Sequence, residues 1–293
     1  MVPRALQIAL RRQIALFTLN CHRNDWPIGK NSNLTPRSWK SWPENKKFAL
    51  ILTHDVDTIK GHEKCMQLMD LEIKLGFRSS FNFVPERYQV LKELRGQLID
   101  KGFEVGVHGL NHDGKLFSTK KIFEKRAAKI NEYLYNWGSV GFRSPAMHHN
   151  LNWIHELNIE YDASTFDIDP FEPQSDGVNT IFPFWVPGKS NNDGYVELPY
   201  TLPQDFTLFI LLREKFIDIW KQKLDWIITN GGMALINTHP DYMNFEESNY
   251  RIEEYPYIYY SDFLQYIKYH YSDQYWHVLP KEITKFWKAS FAS

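Results

Sequence analysis

The sequence predicts an α/β protein built on a parallel sheet, and three observations predict it. Short continuous apolar runs, at 48–53 and 233–237, have the character of strands buried on both faces. Segments with helical periodicity separate such runs, which is the pattern of βα units. Polar residues able to do chemistry follow the runs directly, and in parallel folds strands end together on one rim. With 293 residues, the chain can form one barrel of about 250 residues plus an arm.

Residues 1–20 interleave Arg4, Arg11 and Arg12 with Leu6, Ile8, Leu10, Ile14, Leu16 and Phe17, the pattern of a short amphipathic helix. The adjacent arginines break the apolar run, so it cannot span a bilayer. No small-residue cleavage site follows a clean apolar region, which argues against a signal peptide and for a cytoplasmic location. The helix is expected to dock on the protein's own body, with peripheral membrane contact as the alternative. Residues 24–47 are rich in turn formers yet hold Trp26, Trp39 and Trp42. A free linker would not carry three tryptophans, so this reads as an arm wrapping a domain. The division is therefore helix and arm over 1–47, then one larger unit over 48–293.

Within that unit, strands are expected at 48–53, 81–84, 103–107, 140–142, 159–163, 233–237 and 276–279. Helices are expected at 61–75, stopping at Gly76, and at 88–101, 118–135, 151–157, 213–229 and 261–271. About seven strands suit either a barrel or a doubly wound sheet.

Composition excludes some functions. Lys+Arg is 34 and Asp+Glu 35, so no basic excess favours non-specific nucleic-acid binding. Cys21 and Cys65 are too few for a disulfide framework and read as reduced thiols. Aromatics reach 16%, which suits a thick core or a sugar-stacking groove. Phe171, Phe182, Phe184, Trp185 and Tyr195 and the run 250–260 are candidates for either role.

The post-strand residues suggest a site. His54-Asp55-Val56-Asp57, His108 to Asp113, Arg143-Ser144-Pro145, the group Asp162, Asp167 and Asp169, and His239-Pro240-Asp241 each follow a predicted strand. His108 and His112, at i and i+4, would share a face if a helical turn begins there. A carboxylate from Asp55 or Asp57 would complete two histidines and one aspartate, the open arrangement of a catalytic divalent-metal site. The remaining aspartate would be free to act as base. Arg143 would orient a carboxylate, and His239 is a candidate proton donor to a leaving group. Asp113 reads as a turn residue or as support for a histidine ligand.

In order and type these motifs resemble those of the polysaccharide deacetylases with the nodulation-type homology domain, a carbohydrate esterase family. Thr53 to Asp57 is similar to the first motif, in the spaced Asp-x-Asp form of an outlying branch. His108 to His112 is similar to the second, Arg143-Ser144-Pro145 to the third, and Leu235 to His239 to the last. The resemblance runs from Phe48 to about Asp241. It implies a distorted (β/α)7 barrel related to the TIM barrel, with the N-terminal arm outside it. It implies a metal, usually Zn2+, on Asp57, His108 and His112, with Asp55 as base held by Arg143 and His239 as acid. Asp162, Asp167 or Asp169 would support that acid. Ala146 and Pro145 would border the acyl group, with the Ala146 N–H helping hold the oxyanion, and Trp185 would line the substrate groove. The implied reaction is removal of acetyl groups from N-acetylated sugars of a surface polysaccharide or its precursor, by a metal-activated water. The alternatives are an amidohydrolase on a small non-sugar C–N substrate and a non-catalytic carbohydrate-binding relic.

Overall fold

The computed structural model describes residues 3–37, 39–188, 193–246 and 250–291. Seven strands run parallel in the order β8, β1, β2, β3, β4, β5, β7. They are β1 (Phe48–Val56), β2 (Ser80–Phe83), β3 (Glu104–His108), β4 (Gly141–Arg143), β5 (Tyr161–Asp162), β7 (Gly194–Glu197) and β8 (Met233–Thr238). Beyond β7 the chain bridges to β8 only singly, at Leu202 and Ile236, where Thr201 N–H donates to Leu235 O at 3.0 Å. The sheet thus curls into the expected distorted (β/α)7 barrel, closed by isolated bonds instead of a full ladder.

Two further strands flank the barrel. β6 (Phe184–Pro187) pairs antiparallel with β7, and β11 (Tyr275–His277) pairs with the first half of β1. A short parallel pair, β9 (Met243–Asn244) and β10 (Tyr255–Pro256), follows β8. The helices are α1 (Arg4–Cys21), α2 (Ile59–Leu75), α3 (Lys92–Asp100), α4 (Lys120–Trp137), α5 (Leu151–Ile154), α6 (Asp218–Thr229), α7 (Ile258–Tyr271) and α8 (Pro280–Phe291). Thr58 and Thr119 cap α2 and α4, and Gly76 and Gly138 end them in left-handed geometry.

Two helices begin later than their periodicity predicts. At 88–91 the Tyr88 hydroxyl donates to Val56 O and the Leu91 N–H to His62 Nε2 at 3.2 Å, so side chains tie this segment down as a loop before α3. At Arg213 φ is +60°, which interrupts the helix until Asp218. The preceding residues, Phe206–Leu211, form a buried π-helical turn that an all-apolar run does not announce.

The N-terminal segments pack on this frame. Ile8 and Ala15 of α1 are buried, and Arg12 donates to Ile210 O at 2.8 Å. Trp42 is fully buried among Trp39, Phe182, Trp276 and Trp287, and its indole N–H donates to Gly231 O at 2.9 Å. Trp42 therefore covers the end of the barrel opposite the strand C-termini, beside the start of β8. Trp42→Ala should cost about 3–5 kcal/mol, measured as a lower urea midpoint with an unchanged slope. Phe182, Tyr195, Tyr255 and Tyr260 are likewise buried, so most of the aromatic-rich stretches build the core. Cys21 is exposed, Cys65 is buried, and both are free thiols. No described helix is long and apolar enough to cross a membrane.

Candidate metal centre and acid–base site

Strand alternation decides which side chains enter the barrel mouth. Asp55 of β1 faces inward and Asp57 follows at the strand's end. His54 points outward, with its ring nitrogens 2.8 Å from Thr238 Oγ1 and 2.9 Å from Glu72 Oε1. His54 is therefore a core histidine and stands apart from the site.

His108 ends β3, but no helical turn follows it. Gly109 has φ +60°, and a Cβ there would fall 2.5 Å from Pro145 Cδ, so only glycine fits. His112 itself sits at φ +54°. This loop reversal brings the two imidazoles to 5.3 Å between centroids, where the sequence suggested a helical i, i+4 face. Asp113 pins the loop through a two-pronged pair with Arg126, 2.7 Å at each oxygen.

Asp57 Oδ1 lies 3.4 Å from His108 Nε2 and 3.1 Å from His112 Nε2. One ligand atom from each of the three lies within 4.8 Å of the others. The Nδ1–H of His108 donates to Arg143 O at 3.1 Å, which leaves its Nε2 lone pair facing Asp57. Asp57 Oδ1 is buried and makes no hydrogen bond of good geometry, although two imidazoles converge on it. A buried orphan oxygen between two ring nitrogens is compatible with a candidate metal-ion site. The Asp57 and Thr58 N–H groups donate to Asp241 at 2.9 Å each, which fixes the strand end.

Asp55 has different partners. It accepts from Asn237 Nδ2 at 2.8 Å, Asn82 Nδ2 at 3.0 Å and Arg143 Nη1 at 3.3 Å. Burial pushes its carboxyl up, but the neighbouring His108, Arg143 and His239 side chains outweigh this and hold it at about 2. Arg143 is fully buried and is itself held by Ala163 O at 2.8 Å, Thr53 Oγ1 at 2.8 Å and Asn237 Oδ1 at 2.6 Å. Asn237 thus belongs to the network around Asp55.

The aspartate bonded to His239 is Asp205, and the three suggested by the sequence lie elsewhere. Asp205 Oδ1 is 2.7 Å from His239 Nδ1, and its Oδ2 accepts the His239 N–H at 2.8 Å and the Tyr255 hydroxyl at 2.9 Å. Asp162 is buried beside Glu197, Asp167 pairs with Lys223 at 2.5 Å, and Asp169 accepts from the Tyr200 hydroxyl at 2.8 Å. The physical reason is a strand that the sequence reading did not place. β7 and the segment after it deliver Asp205 to the rim.

Burial pushes the His239 imidazole down, but Asp205, Asp57 and Asp55 raise it to about 10. A folded value above the ordinary 6.5 stabilises the protein fully below that pH and loses the effect as pH rises through about 10. Asp205→Asn should lower the His239 midpoint by more than about one unit, read from the ring proton shifts in an NMR titration.

The remaining predicted site residues are placed as follows. Pro145 is buried against Gly109, and Ala146 is exposed on the rim in a left-handed turn at φ +53°. Trp185 packs into the apolar core from edge strand β6 and does not line the cleft over Asp57. Asn82 was not singled out from the sequence, and Asp241 was noted only as part of the run His239-Pro240-Asp241 with no role assigned. Asn82 had one available signal, a polar residue in register with Asp55 inside an apolar strand.

No protein-family model matches the chain, and no curated protein matches it in sequence. Solved structures match it in fold. A Mycobacterium smegmatis protein described as a polysaccharide deacetylase is 17% identical, with 87% of this chain and 95% of that one covered and a TM-score of 0.66. Puue allantoinase is 14% identical over 86% and 94%, with a TM-score of 0.64. A probable polysaccharide deacetylase from Pseudomonas aeruginosa PAO1 is 15% identical over 86% and 94%, also at 0.64. The chain thus has the barrel fold seen in polysaccharide deacetylases. At these identities the likeness speaks for the fold.

Proposed function

We propose that the protein is a metal-dependent hydrolase of the polysaccharide deacetylase type, removing acetyl groups from N-acetylated sugars. One observation supports this above the rest. Two carboxylates two residues apart have separate surroundings, Asp57 with two imidazoles and Asp55 with an arginine and two amides. That separation suits one ligand and one base. A divalent ion, with zinc the best match to this donor set, supplies Lewis-acid polarisation of the amide carbonyl and a nucleophilic water near neutral pH.

The chain's own groups supply the rest. Asp55, aimed by Arg143, Asn82 and Asn237, accepts the proton of the attacking water. The Ala146 N–H, on the rim, would donate to the developing oxyanion. His239, oriented and kept protonated by Asp205, gives its proton to the leaving nitrogen. Acetate and a free amine are the products.

The test is acetate release from N-acetylated chito-oligosaccharides by zinc-loaded protein. The expected result is turnover that a chelator abolishes and zinc restores. The fold likeness to an allantoinase favours one competing reading, a small-amide hydrolase. Allantoin turnover with no acetate release from any glycan would select it.

A further inference from the structure

We propose that the substrate carries a phosphate-class anion beside its N-acetyl group, read by a set of unpaired cations around the candidate metal centre. This rests on the deacetylase reading above. Asp57, His112, Asp241 and Tyr242 line a cleft of about 540 Å³. Its other walls are mostly cationic and come from distant parts of the chain: Arg4 and Arg11 of α1, Lys60 of α2, Arg87 and Arg251.

The acids of the cleft are already engaged. Asp57 belongs to the candidate metal centre, and Asp241 accepts the backbone N–H groups of Asp57 and Thr58. Glu253 pairs with Arg4 at 2.5 Å, while Glu254 takes Asn244 at 3.1 Å and Lys64 at 3.4 Å. The side chains of Arg11, Lys60, Arg87 and Arg251, in contrast, have no ion-pair partner among the described residues. Arg11 is held in place by stacking on Phe206, 4.7 Å from the ring centroid. Four cations without a direct ion-pair partner among the described residues line one cleft, and an anion would bridge them. Guanidinium forks match phosphate oxygens in particular. A sugar phosphate or sugar diphosphate presents such a group close to an N-acetyl substituent.

The experiment compares three substrates on zinc-loaded protein: N,N'-diacetylchitobiose, UDP-N-acetylglucosamine and a short-chain polyprenyl diphosphate N-acetylglucosamine. One of the two phosphate-bearing substrates should have a KM at least about tenfold lower than the neutral sugar at low salt. Arg11→Gln/Arg87→Gln should collapse that preference toward one. Which charged substrate wins separates a nucleotide-linked from a lipid-linked source. Equal KM values for all three would overturn the proposal. If none releases acetate, the deacetylase reading fails. Inorganic pyrophosphate binding to chelator-treated protein, by calorimetry, then decides the anion site separately. Binding weakened at least about tenfold in the double variant keeps it, and binding that is absent or unchanged removes it.

Discussion

Asp55→Asn will keep the metal and lose turnover. General-base removal typically costs about 10²–10⁴-fold in rate, and the loss should fall on kcat, because Asp55 acts on the water and not on the sugar. Asparagine keeps the shape of the carboxylate and one of its oxygens. Arg143, Asn82 and Asn237 would then surround a neutral amide. The buried Arg143 loses its counter-charge at 3.3 Å, so the variant should also be less stable. Elemental analysis beside acetate-release kinetics checks the result. Loss of the ion with Asp55→Asn would mean that Asp55 and Asp57 have exchanged roles. The pH profile is a second check. A base held at about 2 stays ionised throughout the neutral range, so Asp55 should contribute no acid limb above pH 4.

His112→Ala will empty the metal centre. It removes one of three protein ligands from a set whose atoms lie within 4.8 Å of one another. Substitutions that only orient a ligand cost roughly 10–100-fold in affinity, so deleting a ligand should cost more than about 100-fold. Fold stability should change little, because His112 sits on a loop and its side chain is 23% exposed. Competition with a chromogenic zinc chelator measures the affinity, and far-ultraviolet circular dichroism confirms the fold. The Asp113–Arg126 pair holds the loop from the other side, so Arg126→Ala should weaken affinity by a smaller factor, within about 10–100-fold.

Much of the barrel was legible because a strand buried on both faces must be apolar throughout. The run 48–53 and the run 233–237 therefore stand out, and the residues after them fall on the rim. Asp57, His108, Arg143 and His239 are visible for that reason. β5 forms within the expected strand 159–163, at Tyr161–Asp162, whereas β7, at Gly194–Glu197, is short and offers too few residues for a pattern. Asp205 was hidden with β7, and the supporting aspartate was sought upstream of that strand among Asp162, Asp167 and Asp169. His112 shows the opposite case. Its spacing from His108 pointed toward the right neighbourhood through the wrong geometry, because a glycine-led reversal and a helical turn both bring residues four apart together. Asn82 and Asp241 act by holding other site residues, and a polar residue inside an apolar strand or after one shows its place in a single sequence but not that role.

The most direct test of the central claim is the metal content of the purified protein after zinc is offered and excess removed by dialysis. Roughly one tightly held equivalent per chain, on two imidazoles and one carboxylate, is expected. Protein that retains no zinc or similar ion under those conditions, while remaining folded, would contradict it.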